Sequence, residues 1–340
     1  MTPAALLKRS LPALAVVAIT AAVSALLVLL AGASPLSAFE SLVRGSIGSR
    51  AALGETLVRS TPLILTALAT VVAFRAGVLN IGVEGQFLVG AAAAAAVGPA
   101  LGSAPQIARI ALLGAAALAG ALFVLPAAWL SEKRNVPVVL STILLNLIAA
   151  ALISWLVRGP LKDDAGDYPQ TAPLSESVRL DPLFSGSRAT AAPLLALALA
   201  LIVAFALKKT RAGLVLKAVG FSPKAARAAG LPEVGIRVAA FAASGALAGL
   251  AGGLEVGAVT GRLYDPFGSG IGYAGIAAAL LGALQPFGAV ASSLLFAALG
   301  AGSSALQRDA GIPASLATIV PAIAVLGVLA TRARRWRSAR

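Results

Sequence analysis

The 340-residue chain contains no cysteine and no histidine. The first absence excludes disulfides and thiol chemistry, the second removes the usual general base near neutral pH, and together they remove most transition-metal sites. Aromatic residues make up only 5% of the chain and charged residues 12%, while 59% is hydrophobic and the mean hydropathy is +0.93. Soluble domains carry about 25% charged residues, so the composition is that of an all-α, polytopic membrane protein. A β-barrel is excluded because the apolar runs are unbroken instead of alternating with period two. Alanine, glycine and leucine dominate, which lets helices approach closely through small side chains.

Segments long enough to cross about 30 Å of hydrocarbon occupy residues 11–31, 109–130, 137–157, 190–207 and 236–258. Shorter or interrupted segments occupy 57–74, 83–98, 271–284, 288–306 and 313–330. This predicts about ten transmembrane helices in one membrane domain covering 1–340, some of them short or broken; eight spans with two re-entrant pieces would have the same parity. Residues 11–31 have the look of a signal peptide, with Lys8-Arg9 before them, but their apolar run exceeds the usual 7–15 residues of a signal core. They read as an anchor.

The net charge of +14 invites a nucleic-acid partner, but topology explains it. Cytoplasmic loops are enriched in Lys and Arg. With the N-terminus inside and ten spans, the inner segments hold 17 basic residues against Glu132 and Glu233, and the outer segments hold ten against nine acids. The richest inner segments are a loop at 208–236 and a basic tail at 331–340. The sizeable outer loop is 158–189, where Asp163, Asp164 and Asp167 lack EF-hand spacing and read as a solvated face.

Charged groups inside apolar spans are costly and mark functional candidates. Glu84 and Glu255 qualify. Glu84 lies in FRAGVLNIGVEGQ, residues 74–86, where Gly77, Gly82 and Gly85 interrupt the apolar run and Asn80, Glu84 and Gln86 supply polar groups. Backbone exposed by such a break must face protein or a water-filled cavity. An amide and carboxyl lining suits a hydroxyl-rich or heterocyclic solute; the bland alternative is that Glu84 pairs with Arg75 or caps the next helix. Glu255 follows a small-residue surface at 246–253 fitted to tight helix contact. Ser141, Thr142 and Asn146 form a polar patch at helical spacing, either glue between helices or a solute contact. No Walker-type phosphate loop and no nucleophile elbow is present, so nothing calls for a cofactor, and any ATP-driven work needs a partner's ATP site.

The loop 208–236 contains GFSPKAARAAG, residues 220–230. Ser222 is placed to cap a helix, Pro223 fits its first position, Gly230 fits a left-handed C-terminal cap, and Pro232 stops continuation. A helix of two turns is marginal by itself and needs something packed against it. Lys224, Ala225, Ala226, Arg227 and Ala229 complete it, with the small face of Ala226 and Ala229 expected to dock.

Residues 74–86 resemble the FRAGxxNIGxEGQ signature of a permease subunit of bacterial nucleoside-type ABC importers, within the larger family of ribose, simple-sugar and branched-chain amino-acid permeases. Residues 216–231, LKAVGFSPKAARAAGL, are similar to that family's cytoplasmic coupling segment, with Lys224 in place of the glutamate of the EAAxxxG loop. TLVRSTP at 56–62, Pro169-Gln170-Thr171 and GYAGIAAALLG at 272–282 extend the likeness to about residues 55–330. The resemblance implies a fold like the vitamin B12 permease class (type II importer), with both termini cytoplasmic in a bacterial inner membrane. It also implies three partners: a cytoplasmic ATPase with two nucleotide-binding modules, a second homologous permease, and an extracytoplasmic substrate-binding lipoprotein. The implied solute is a nucleoside, with simple sugars as runner-up. On the residues alone, a proton-coupled carrier using Glu84 and Glu255, or a basic loop merely held near anionic lipid, are the rivals.

Overall fold

A computed structural model describes residues 18–19, 21–30, 32–99, 104–182, 188–268, 270–309, 311–313, 319 and 322–323. The charges at Lys8 and Arg9, the basic tail 331–340 and most of the segment 313–330 lie outside the described residues.

Along the described residues run α1 (Ala21–Leu30), then α2 (Pro35–Ile47), α3 (Arg50–Arg75), α4 (Val83–Val97), α5 (Pro105–Phe123), α6 (Leu125–Arg134), α7 (Val138–Arg158), α8 (Ala192–Lys209), α9 (Arg211–Phe221), α10 (Pro223–Ala228), α11 (Glu233–Leu254), α12 (Ile271–Leu281) and α13 (Pro286–Asp309). α11 continues into a π-helical turn, Glu255–Thr260. Among the described residues, six helices or helix pairs are long and apolar enough to span a membrane: α3, α5 with α6, α7, α8, α11 with its π turn, and α13. α1 and α2 together form a bent pair that would make a seventh. α4 and α12, 15 and 11 residues long, reach about 22 and 16 Å at 1.5 Å per residue, short of the bilayer. The chain is a multi-pass, all-helical membrane protein.

The chain folds as two compact units, residues 1–59 with 295–340, and residues 60–294. In the first, Val28, Ala38, Leu306 and Ile312 form a small core. Thr56 donates to the Ser46 carbonyl (2.7 Å), and Gly45 and Gly302 let α13 approach α2 at Ala305 and Leu42. Arg59 spans Glu55, the Gly300 carbonyl and Ser304.

The second unit is built around the stretch of α3 from Ser60 onward, where Ile64, Leu65, Ala67 and Leu68 are fully enclosed. α11 lies against both α4 and α5 on the small surface that the sequence predicts. Gly249 meets Ala116 and Gly120 on α5 and Gly90 on α4, and Gly252 meets the Phe87 carbonyl. A Cβ at Gly249 would fall on the Ala116 carbonyl oxygen, a backbone atom that cannot swing aside. Gly249→Val is therefore expected to cost at least the ~1–3 kcal/mol typical of overpacking, read as a lower melting temperature of the solubilised protein; an unchanged melting curve would refute this packing.

The ends of the helices in this unit sort into two groups. At one end Arg75 donates to the Leu284 carbonyl (2.8 Å), Lys208 sits over the Phe287 ring, and Arg237 pairs with Glu132 (2.8 Å). α9, α10 and the start of α11 belong to this end. At the other, Arg109 binds the carbonyls of Ser177, Val178 and Arg179, Arg158 pairs with Asp265 (2.8 Å), and Thr171 exchanges hydrogen bonds with Leu263. The long loop is thus pinned to the residues that follow the π turn. The groups coincide with the two sets of loops that the charge count separates.

Candidate functional site

The break between α3 and α4 is fixed by a polar cluster. Gly77, at φ +75°, turns the chain after α3. Asn80 and Gln86, both fully buried, form a reciprocal amide pair: Asn80 donates to Gln86 (3.0 Å) and Gln86 to Asn80 (3.1 Å). Asn80 also donates to Ser244 on α11 (3.0 Å) and accepts from the Gly82 amide (2.8 Å). Asn146 on α7 accepts from the Gly85 amide (2.8 Å) and donates to the Ile81 carbonyl (3.0 Å) and Tyr273 hydroxyl (2.9 Å). Thr142, one turn earlier, accepts from the Ile81 amide (3.3 Å). Thr142 and Asn146 of the polar patch on α7 thus hold the chain where it enters α4, at Ile81 and Gly85, while Ser141 bonds only to carbonyls of its own helix.

Glu84 does not pair with Arg75. Its two carboxyl oxygens accept from the Gly270 and Gly272 amides, each at 2.6 Å. These are first-turn donors of α12, and Gly270 has no side chain with which to cap them. Gly272 also lacks the Cβ that would strike the Glu84 backbone. Two half-length helices thus begin at one point: α4 runs from it toward Leu174, which packs on Gly98, and α12 runs from it toward the Arg75 end. Asn80, Glu84, Gln86 and Asn146 are brought together here. Glu255 is not; it opens the π turn, eleven residues beyond Ser244 and so about 16 Å along the helix.

The helix of the basic loop is α10, with the caps that the sequence predicts. The Ser222 side chain accepts from the Ala225 amide (3.3 Å), Pro223 is in the first turn, and Gly230 has φ +79°. Arg227 donates to Glu233 (2.6 Å), tying α10 to α11. Ala226 faces inward and is 4% exposed, so the small face expected to dock is turned partly into the protein; Lys224, Ala225, Arg227 and Ala229 remain outside.

Sequence reasoning missed α9. Thr210 caps it by accepting from the Gly213 amide, a Thr-x-x-Gly signal visible in the sequence. Near its end Gly220 lies directly on the α3–α4 break: a Cβ there would fall on the Arg75 carbonyl oxygen, with the Arg75 and Ala76 carbonyl carbons at 2.9 and 3.0 Å. Arg75 also holds the turn after α12. α10, the break and the end of α12 are joined through two residues, Gly220 and Arg75.

The family described as the permease component of branched-chain amino acid transport systems matches residues 52–329. The chain belongs to this permease family. The permease is 35% identical over 319 residues to the guanosine ABC transporter permease protein NupP of Bacillus subtilis, covering 93% of this chain and 91% of NupP. It is 34% identical over 303 residues to the glucose ABC transporter permease protein TsgB13 of Haloferax volcanii, covering 86% of this chain and 80% of that one. A second Bacillus subtilis guanosine permease, NupQ, is 33% identical over 252 residues, with 71% and 78% covered. No solved structure matches the chain. As an ABC permease subunit the protein is a transport component, not an enzyme, and its membership removes the proton-coupled alternative.

Proposed function

We propose that the permease forms one side of a nucleoside pathway in an ABC importer and is driven by a separate two-module ATPase that receives α10. The observation that carries this reading is mechanical: a capped helix at the tip of the basic loop is joined, through Ser222, α9 and the packing of Gly220 on the Arg75 and Ala76 backbone, to the broken segment at 74–86. Movement of α10 would be delivered to residues 75–77 and so to the cluster of Asn80, Gln86, Asn146 and Glu84. In this reading Asn80, Gln86 and Asn146 shape the wall of the pathway by holding the break, while Glu84 keeps the start of α12 in place beside it. Glu255 borders the same pathway nearer its outer end. Discontinuous helices meeting within the bilayer are a recurring way of building transport sites.

The fuller architecture belongs to the same proposal: about ten spans in a vitamin B12 permease-like arrangement, both termini cytoplasmic, 158–189 outside and 208–236 inside. NupP and NupQ, two guanosine permeases of one organism, support a second permease as partner, and an extracytoplasmic binding lipoprotein would deliver the solute. NupP favours a nucleoside; TsgB13 keeps simple sugars as the second solute class. Calorimetry on the cognate binding protein separates the two.

The coupling role is tested with Ala229→Asp, which adds charge to the outer side of α10 without disturbing a buried contact. Uptake is expected to fall at least tenfold, with permease still in the membrane and ATPase activity no longer stimulated by the loaded binding protein. Normal uptake at normal expression would overturn the assignment.

A further inference from the structure

Immediately before α10, Phe221 stands 94% exposed, the most exposed large hydrophobic residue among those described. Leu214 is 69% exposed and Ala218 is exposed. The three fall at i, i+4 and i+7, one stripe of α9. The opposite face of α9 is occupied, since Gly213 packs on Ala206 and Leu207, and Gly220 on Arg75. Cations flank the stripe. No acid occurs between Asp181 and Glu233, and Glu233 is engaged by Arg227, which leaves Arg211, Lys217 and Lys224 to set the local charge.

Resting on the coupling role of α10, we infer that Phe221 is the anchor of the ATPase interface: its ring enters an apolar pocket of the ATPase, and carboxylates at the rim of that pocket face Lys217 and Lys224. Three features favour this occupant. With Ala226 turned inward, α10 offers the partner only short or charged side chains, so the apolar core that an interface needs has to come from its neighbour. Ser222 is both the end of α9 and the N-cap of α10, which fixes Phe221 at a constant place beside the docking helix. The stripe is also narrow and ends on its most exposed side chain, the Phe221 ring beside α10, a knob suited to a pocket, the geometry of an interface hot spot. The cations contribute partner choice: a rim carrying Lys or Arg would be repelled, so this permease selects an ATPase with an acidic rim.

Because the native chain has no cysteine, Phe221→Cys provides a unique thiol for a maleimide probe. Labelling is expected to be fast in the permease pair reconstituted in nanodiscs, and at least tenfold slower once the purified two-module ATPase is bound. Phe221→Asp should weaken ATPase binding at least tenfold, and Phe221→Leu should restore most of it; neither change disturbs the fold, since the side chain touches little. Slow labelling before ATPase is added would mean that lipid or the second permease covers the ring and would overturn the inference. So would unchanged ATPase affinity in Phe221→Asp. If Ala229→Asp abolishes coupling while Phe221→Asp is silent, the coupling reading stands and only the anchor falls; if both are silent, both fall.

Discussion

Glu84→Ala is expected to abolish uptake and to lower the melting temperature of the permease. The side chain satisfies two backbone amides of α12 at 2.6 Å each, and nothing nearby replaces it, because positions 270 and 272 are both glycine. Each amide left without a partner costs about 1–3 kcal/mol, and Glu84 itself is buried. Glu84→Gln retains one acceptor and turns an N–H toward the second amide, so its effect should be intermediate. Glu84→Asp is one methylene short of reaching both donors and should resemble the glutamine variant. Solute uptake in proteoliposomes and thermal unfolding followed by size exclusion are the measurements. Wild-type melting and uptake in Glu84→Ala would show that α12 does not depend on this contact.

A second large effect is expected at Gly220. Any side chain there must displace the backbone of Arg75 and Ala76, a strain of about 1–3 kcal/mol or more, and it acts on the joint through which α10 reaches the break. Gly220→Ala should leave α10 exposed and able to bind ATPase but cut uptake at least tenfold, separating binding from transport. Gly77 makes the same contact from the other side and adds a positive φ of 75°, so Gly77→Ala should produce a similar loss together with reduced stability. ATPase retained on the complex with uptake lost is the expected pattern. Uptake retained in Gly220→Ala would remove the joint from the mechanism. The two sites differ in kind: Glu84 holds a helix end in place, whereas Gly220 transmits a displacement.

α10 was readable residue by residue because caps act over three or four positions: Ser222, Pro223 and Gly230 each do locally what their chemistry requires. The α7 patch was readable as helical spacing, but the backbone groups that Asn146 holds, at Ile81 and Gly85, lie 65 and 61 positions away. Glu84 was legible as a costly group in an apolar run, but the donors that justify it lie 186 and 188 positions on, and no periodicity carries that information. Ala226 and Ala229 look equivalent as residue types. Packing distinguishes them, enclosing the first and leaving the second outside.

By itself the sequence determined that this is a multi-pass helical protein, where its break and its capped loop helix lie, and, through residues 74–86, to which family it belongs. Those properties follow from hydrophobicity, charge asymmetry and short-range hydrogen bonding, which act within a few residues along the chain. The tertiary structure alone decided that α4 and α12 start from one carboxyl group, that Gly220 fuses the coupling loop to the break, and that Phe221 rather than Ala226 faces outward. These depend on which distant backbones come into contact, and in a chain so rich in alanine and glycine many close approaches are sterically open, so only the folded packing selects among them.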